Sequence, residues 1–76
     1  MEELIEFVAK SLVDDAEAVN THVYSSGDQT VVELEVAQAD LGKVIGRQGR
    51  TARAMRTLLS AAGQKTRRRY TLDIVD

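Results

Sequence analysis

Two glycines three residues apart, Gly46 and Gly49, interrupt a stretch of helical apolar spacing, and that interruption limits what the chain can build. Leu41, Val44 and Ile45 share one face of a short helix over about 41–45. Ala52, Met55, Leu58, Leu59 and Ala62 occupy about one third of a longer helix that starts at Gly49 or Arg50 and runs to Ala62. Glycine tolerates positive φ, so Gly46-Arg47-Gln48-Gly49 is predicted to be a tight turn between these helices. Asp40 is placed to cap the first helix, and Gly63 to end the second in a left-handed conformation.

The remaining segments supply a sheet for the helices to cover. Residues 2–13 read as a helix, with Leu4, Phe7, Val8, Ser11 and Leu12 on one side. Ile5, Ala9 and Val13 widen the stripe, so this helix is expected to be covered on more than one side. Asp14 to Ala18 reads as a connection. A strand over 19–24 puts Val19, Thr21 and Val23 on one face, and 25–29 is turn chemistry. Over 30–36, Val32, Leu34 and Val36 face one way and Val31, Glu33 and Glu35 the other, as in a hairpin with one buried face. A third strand over 67–75 sets Tyr70, Leu72 and Ile74 on one face, and places Arg67 and Arg69 opposite Arg68. The order is α-β-β-α-α-β, an α+β layer of three helices over a three-stranded sheet, with residues 1–76 forming one domain.

Charge is distributed unevenly along this order. Between Leu41 and Tyr70 lie nine Lys and Arg residues and no carboxylate, whereas residues 1–40 hold ten acids and one base, Lys10. The formal net charge of −2 therefore conceals a bipolar molecule. Arg50, Arg53 and Arg56 recur every three residues on the long helix, and Arg47 in the turn extends their stripe. A solvated helix face normally mixes signs in i,i+4 pairs; this one carries a single sign, which destabilises the free helix and suits a polyanion. The second helix would also present unpaired N–H groups toward the glycine turn, where a phosphate can reach backbone amides. Arg47 and Gln48 add long donors at the tip, and Lys43 lies one turn upstream. Lys65, Arg67, Arg68 and Arg69 form a second basic cluster, readable as a solubilising edge or as an auxiliary phosphate contact.

Other chemistries find little support. No G-x-x-x-x-G-K-[ST] or G-x-G-x-x-G pattern occurs, which excludes the common nucleotide-binding loops. His22 is the sole histidine, in a predicted strand, and no nucleophile, base and orienter are set to converge, so no catalytic residue is assigned. The Asp14-Asp15-Ala16-Glu17 cluster offers too few oxygens for a cation cage, and no metal or other cofactor is expected. With no cysteine, no basic-then-apolar leader and no apolar run of roughly 18 residues, the expectation is a soluble cytoplasmic protein without membrane contact. A core built from 76 residues also leaves little room for an enclosed small-molecule site.

The block Val44-Ile45-Gly46-Arg47-Gln48-Gly49-Arg50 resembles the V-I-G-x-x-G signature that lies between two helices of KH domains. The element order is similar to the type II (prokaryotic) KH arrangement, in which two neighbouring strands run parallel. Ala9-Lys10-Ser11-Leu12-Val13-Asp14, Gly42-Lys43 ahead of the signature, and Met55-Arg56-Thr57-Leu58-Leu59 extend the likeness to the KhpA family of small bacterial single-KH proteins. The resemblance implies binding of single-stranded RNA, about four nucleotides lying in a groove with the glycine loop on the backbone. On that reading Gly46 to Gly49 lie on the phosphates, and Val44 and Ile45 form an apolar wall. Arg50 and Arg53 flank the path, Lys43 is within reach, and the second strand forms the other wall. Ala52 stands where KH domains often carry Ile or Leu, which opens the groove, and Ala16 replaces a frequent proline. The family further implies a homodimer or a heterodimer with a KhpB-type protein, and a role as RNA chaperone or post-transcriptional regulator linked to cell growth and shape. The competing reading is a protein-interaction or dimerisation module, for which Glu33, Glu35 and the acidic N-terminal half are better suited than for RNA.

Overall fold

The computed structural model describes residues 1–75. Helix α1 (Glu2–Leu12) is followed by strands β1 (Asn20–Ser26) and β2 (Gln29–Glu35), helices α2 (Leu41–Ile45) and α3 (Arg50–Thr66), and strand β3 (Arg69–Val75). Single 3₁₀ turns at Ala16–Ala18, Gln38–Asp40 and Arg47–Gly49 join them. The α+β order α-β-β-α-α-β and the three-stranded mixed sheet match the expectation.

β2 is the central strand. It pairs antiparallel with β1, setting Thr21 opposite Leu34 and Val23 opposite Val32. It pairs parallel with β3, setting Val32 beside Leu72 and Leu34 beside Ile74. A parallel pair needs a long crossover, which α2, the glycine turn and α3 provide. The hairpin turns through Gly27 and Asp28 alone. Gly27 has φ 63°, and Ser26 still pairs with Gln29, the pattern of a type II′ turn.

The helices cover one face of the sheet. Ile5 from α1, Val32 and Leu34 from β2, Val44 from α2, and Met55 and Leu59 from α3 are all buried to within 1% of complete. Each such side chain contributes roughly 1.5–3 kcal/mol relative to exposure. On α1 the buried positions are Ile5 and Ala9, with Val8 and Val13 packed beside them. Phe7 and Leu12, on the predicted core stripe, stay exposed. β1 is a lightly covered edge: Val23, opposite the buried Val32, remains 44% exposed.

Three other expectations change. α3 runs through Gly63 to Thr66, so Gly63 does not end it. A methyl group on Gly63 would sit 2.3 Å from the carbonyl oxygen of Arg68, so the glycine lets the returning chain press against the helix. The left-handed position is Arg67 (φ 58°). Around it, Arg68 N–H donates to Gly63 C=O at 2.8 Å and Arg67 N–H to Gln64 C=O at 3.4 Å, a Schellman closure. Arg67 and Arg68 therefore precede β3, and only Arg69 belongs to the strand.

Asp40 also acts differently. It occupies the N-cap position of α2 but makes no side-chain cap bond there. Its buried carboxylate instead accepts the backbone N–H groups of Asp14 (3.3 Å) and Asp15 (3.1 Å), tying the end of α1 to the start of α2. These bonds, the Asp15 one foremost, hold the Asp40 carboxyl below its ordinary pKa.

Candidate nucleic-acid interface

The glycine turn is defined by backbone geometry. Gly46 has φ 78° and ψ 169°, a region open essentially to glycine alone. Space reinforces the restriction, since a methyl group at Gly46 would lie 2.2 Å from Thr51 Oγ1. Gln48 (φ 57°) and Gly49 (φ 73°) follow in the left-handed region, and Gly49 N–H donates to Gly46 C=O at 3.1 Å. Unlike Gly46, Gly49 has open space where a side chain would project. α3 begins directly after it without a side-chain cap, so its first-turn N–H groups and the positive end of its dipole face the loop.

Beside the turn lies a groove of about 310 Å³, lined by Leu41, Ile45, Gly49, Ala52, Arg56, Asp73 and Ile74. Leu41, Ile45, Ala52 and Ile74 give it an apolar part, while Arg56 and Asp73 stand on opposite sides and make the lining mixed. The far wall comes from β3, an edge strand of the sheet, and not from the second strand; β2 is enclosed by strands on both sides. Ala52, buried to 4% exposure, leaves the floor wide where a larger residue would fill it. A phosphate chain is repelled by the Asp73 carboxylate and attracted by the loop and arginines. The groove therefore suits a strand whose backbone follows α3 while its bases face β3.

Among the predicted site residues, Gly46, Arg47, Gln48 and Gly49 form the turn itself, with Arg47 and Gln48 exposed at its tip. Arg50 donates to Gln48 Oε1 at 3.3 Å. Arg50 and Arg53 are exposed on α3, and among the described residues neither they nor Arg47 and Arg56 have a salt-bridge partner. Ile45 lines the groove with 41% of its surface exposed. Val44 is fully buried in the core, with no surface to offer a base. The Lys43 ammonium is engaged by Asp14 and by Asp40, the latter at 3.5 Å. Its hydrogen bond to Asp14, foremost, raises its pKa.

Sequence reasoning left Leu41, Asp73 and Ile74 out of the site. Nothing local marks Asp73 and Ile74; only the parallel pairing of β3 brings them opposite α3. The three-residue recurrence with Arg50 and Arg53 did point to Arg56.

A family model for the KH domain of KhpA/KhpB matches residues 2–74. The "RNA-binding protein KhpA" of Borreliella burgdorferi is 54% identical over 97% of this chain and 90% of its own length. Its namesake in Caldanaerobacter subterraneus subsp. tengcongensis is 44% identical over 99% of this chain and 100% of its own length. That of Halalkalibacterium halodurans is 45% identical over the whole of both chains. No solved structure matches the chain. With the glycine turn, the groove and the full-length match in agreement, the chain belongs to the KhpA/KhpB KH-domain family.

Proposed function

We propose that this protein is a non-catalytic, single-domain binder of single-stranded RNA that grips the strand backbone at Gly46-Arg47-Gln48-Gly49. The observation that carries this reading is the groove whose apolar side is formed by Ile45, Ala52 and Ile74, opening beside a glycine turn and a row of arginines that have no salt-bridge partner among the described residues. An apolar floor with a basic rim suits unstacked bases on a charged backbone. The relatives named as RNA-binding proteins support the same ligand. Lys43, Arg47, Gln48, Arg50, Arg53 and Arg56 supply donors at or near the rim, Lys43 by exchanging carboxylates for phosphate. The broader role proposed is that of an RNA chaperone or post-transcriptional regulator in the cytoplasm, linked to growth and cell shape.

The loop tip gives the cleanest test. Arg47→Asp with Gln48→Asp places two carboxylates at exposed positions, one of them left-handed, a conformation aspartate tolerates. A fluorescence titration with a short oligoribonucleotide should show affinity falling at least ~30-fold, about 2 kcal/mol, consistent with replacing charge-assisted bonds by repulsion. Unchanged affinity in a variant of native circular dichroism rejects RNA gripping by this loop.

Self-association is a second reading, favoured by Phe7, Val23 and Leu58, which expose 70%, 44% and 46% of their surfaces. A homodimer, or a heterodimer with a KhpB-type protein, would cover such side chains and add avidity to one small groove. Light scattering on purified protein, alone and with the partner, distinguishes these assemblies from a monomer.

A further inference from the structure

A second cleft lies beyond Arg56. Along α3, Ala52 and Arg56 line the first groove, and one and two turns further on Ser60 and Gln64 line the second, of about 390 Å³. All four lie on the flank of α3 that faces β3, at four-residue spacing. β3 returns antiparallel to the helix, so Asp73 and Ile74 face the first cleft while Arg68, Arg69, Tyr70 and Thr71 face the second. The centres of the two helical stretches are ~12 Å apart at 1.5 Å per residue. The two clefts follow one another between α3 and the edge strand β3.

Their linings differ in kind. The first is apolar with an arginine and an aspartate across it. The second carries two arginines, the Ser60 hydroxyl and the Gln64 amide, with Gln29 at its rim. Thr71 Oγ1 donates to Gln29 Oε1 at 2.6 Å, which leaves the Gln29 amide N–H groups free to donate outward. Arg69 lies 3.5 Å from Asp28 in a largely exposed pair, worth little and readily exchanged for phosphate. Arg68 has no salt-bridge partner among the described residues.

We propose that the Ser60–Gln64–Arg68–Arg69 cleft is a second subsite for the same RNA strand, holding phosphate and ribose groups beyond the nucleotides seated in the first groove. This rests on the RNA-binding reading of the glycine loop and extends it. The arginines neutralise phosphates, and Ser60, Gln64 and Gln29 are neutral partners suited to ribose hydroxyls. With only Tyr70 as a partly buried aromatic, the cleft reads backbone and not base identity.

The test uses fluorescence anisotropy with oligouridylates of roughly four and roughly ten nucleotides, the shorter matching the usual KH groove. Three proteins are compared: wild type, Arg68→Gln with Arg69→Gln, and Arg47→Asp with Gln48→Asp. The arginine pair should leave the short strand's affinity within about twofold, and weaken the long strand roughly tenfold. Its salt slope on the long strand should shrink by about 1.4, two phosphates at 0.7 each. Equal affinity of the arginine pair and wild type for the long strand overturns the second subsite and leaves the loop reading standing. Full affinity of the loop variant for both strands overturns the loop reading and the subsite with it. Loss of self-association by the arginine pair, with RNA affinity intact, overturns the proposal in favour of a protein contact along β3.

Discussion

The two loop glycines face different constraints, and substitution separates them. Gly46 combines a glycine-only backbone region with Thr51 Oγ1 in the place of its missing side chain. Gly46→Ala should cost about 3 kcal/mol, strain and overpacking together. Gly49 is left-handed but unobstructed, so Gly49→Ala should cost only about 1–2 kcal/mol. Urea unfolding of both variants checks the order; equal losses would show that Thr51 does not hold the turn. Arg67 is the converse case, a side chain where glycine is preferred. Arg67→Gly should stabilise by about 1 kcal/mol, raising the melting temperature by roughly 4–8 °C in a domain of this size. Asp40 adds a pH dependence. Its folded pKa is lowered, so its stabilisation is present above its ordinary value of 3.8 and fades as pH falls through the depressed one. The stability difference between wild type and Asp40→Asn, measured by denaturant titration, should be largest near neutrality and shrink as pH falls below the ordinary carboxylate value of 3.8. A difference independent of pH would mean that the carboxylate's charge is immaterial to the tie between α1 and α2.

Elements were legible in the sequence where their signals are local. The alternation of Val32, Leu34 and Val36, a turn within 25–29 and the core positions Ala52, Met55 and Leu59 of α3 needed no tertiary partner to be recognised, although the turn is shorter than its sequence signal and Leu58, expected on the same stripe, stays 46% exposed. The failures share one cause: the deciding neighbour is distant in the chain. α1 carries two apolar stripes of similar strength, and only docking on β1 and β2 selects Ile5 and Ala9 over Phe7 and Leu12. Asp40 answers N–H groups some 25 residues earlier. Gly63 looked like a helix end because glycine usually is one, whereas here it accommodates the carbonyl of Arg68. That reading makes a distinct prediction. At an exposed helix end Gly63→Ala would be mild, and in a free helix interior it would stabilise by about 1 kcal/mol. Against a backbone oxygen at 2.3 Å it should instead destabilise by about 2–3 kcal/mol. Thermal unfolding settles the sign. The site divides in the same way: the loop and its arginines are local, while the wall of Asp73 and Ile74 exists only through the parallel register.

For the whole molecule, a net charge of −2 would argue against a polyanion if charge acted as a single sum. It does not. Screening at physiological salt acts over ~8 Å, so charges more distant than that hardly reach the turn, and among the described residues Arg47, Arg50, Arg53 and Arg56 have no salt-bridge partner to offset them. On the proposed reading the arginines of the turn and α3 are the surface that meets RNA, with Asp73 as the carboxylate across the groove, and the acidic α1 offers a strand no comparable attraction. Association should therefore be steep in salt despite the negative total. If about four phosphates are engaged, log K should fall with log salt at a slope near −3, roughly fiftyfold between 50 and 200 mM. A strand long enough to reach Arg68 and Arg69 should steepen the slope to about −4, since each added phosphate contributes about 0.7. The two slopes, measured on one protein preparation with short and long strands, turn the charge layout into a count of phosphates. A slope near zero on both would mean that apolar contacts in the groove carry the binding, and that the arginine row of α3 serves some other partner.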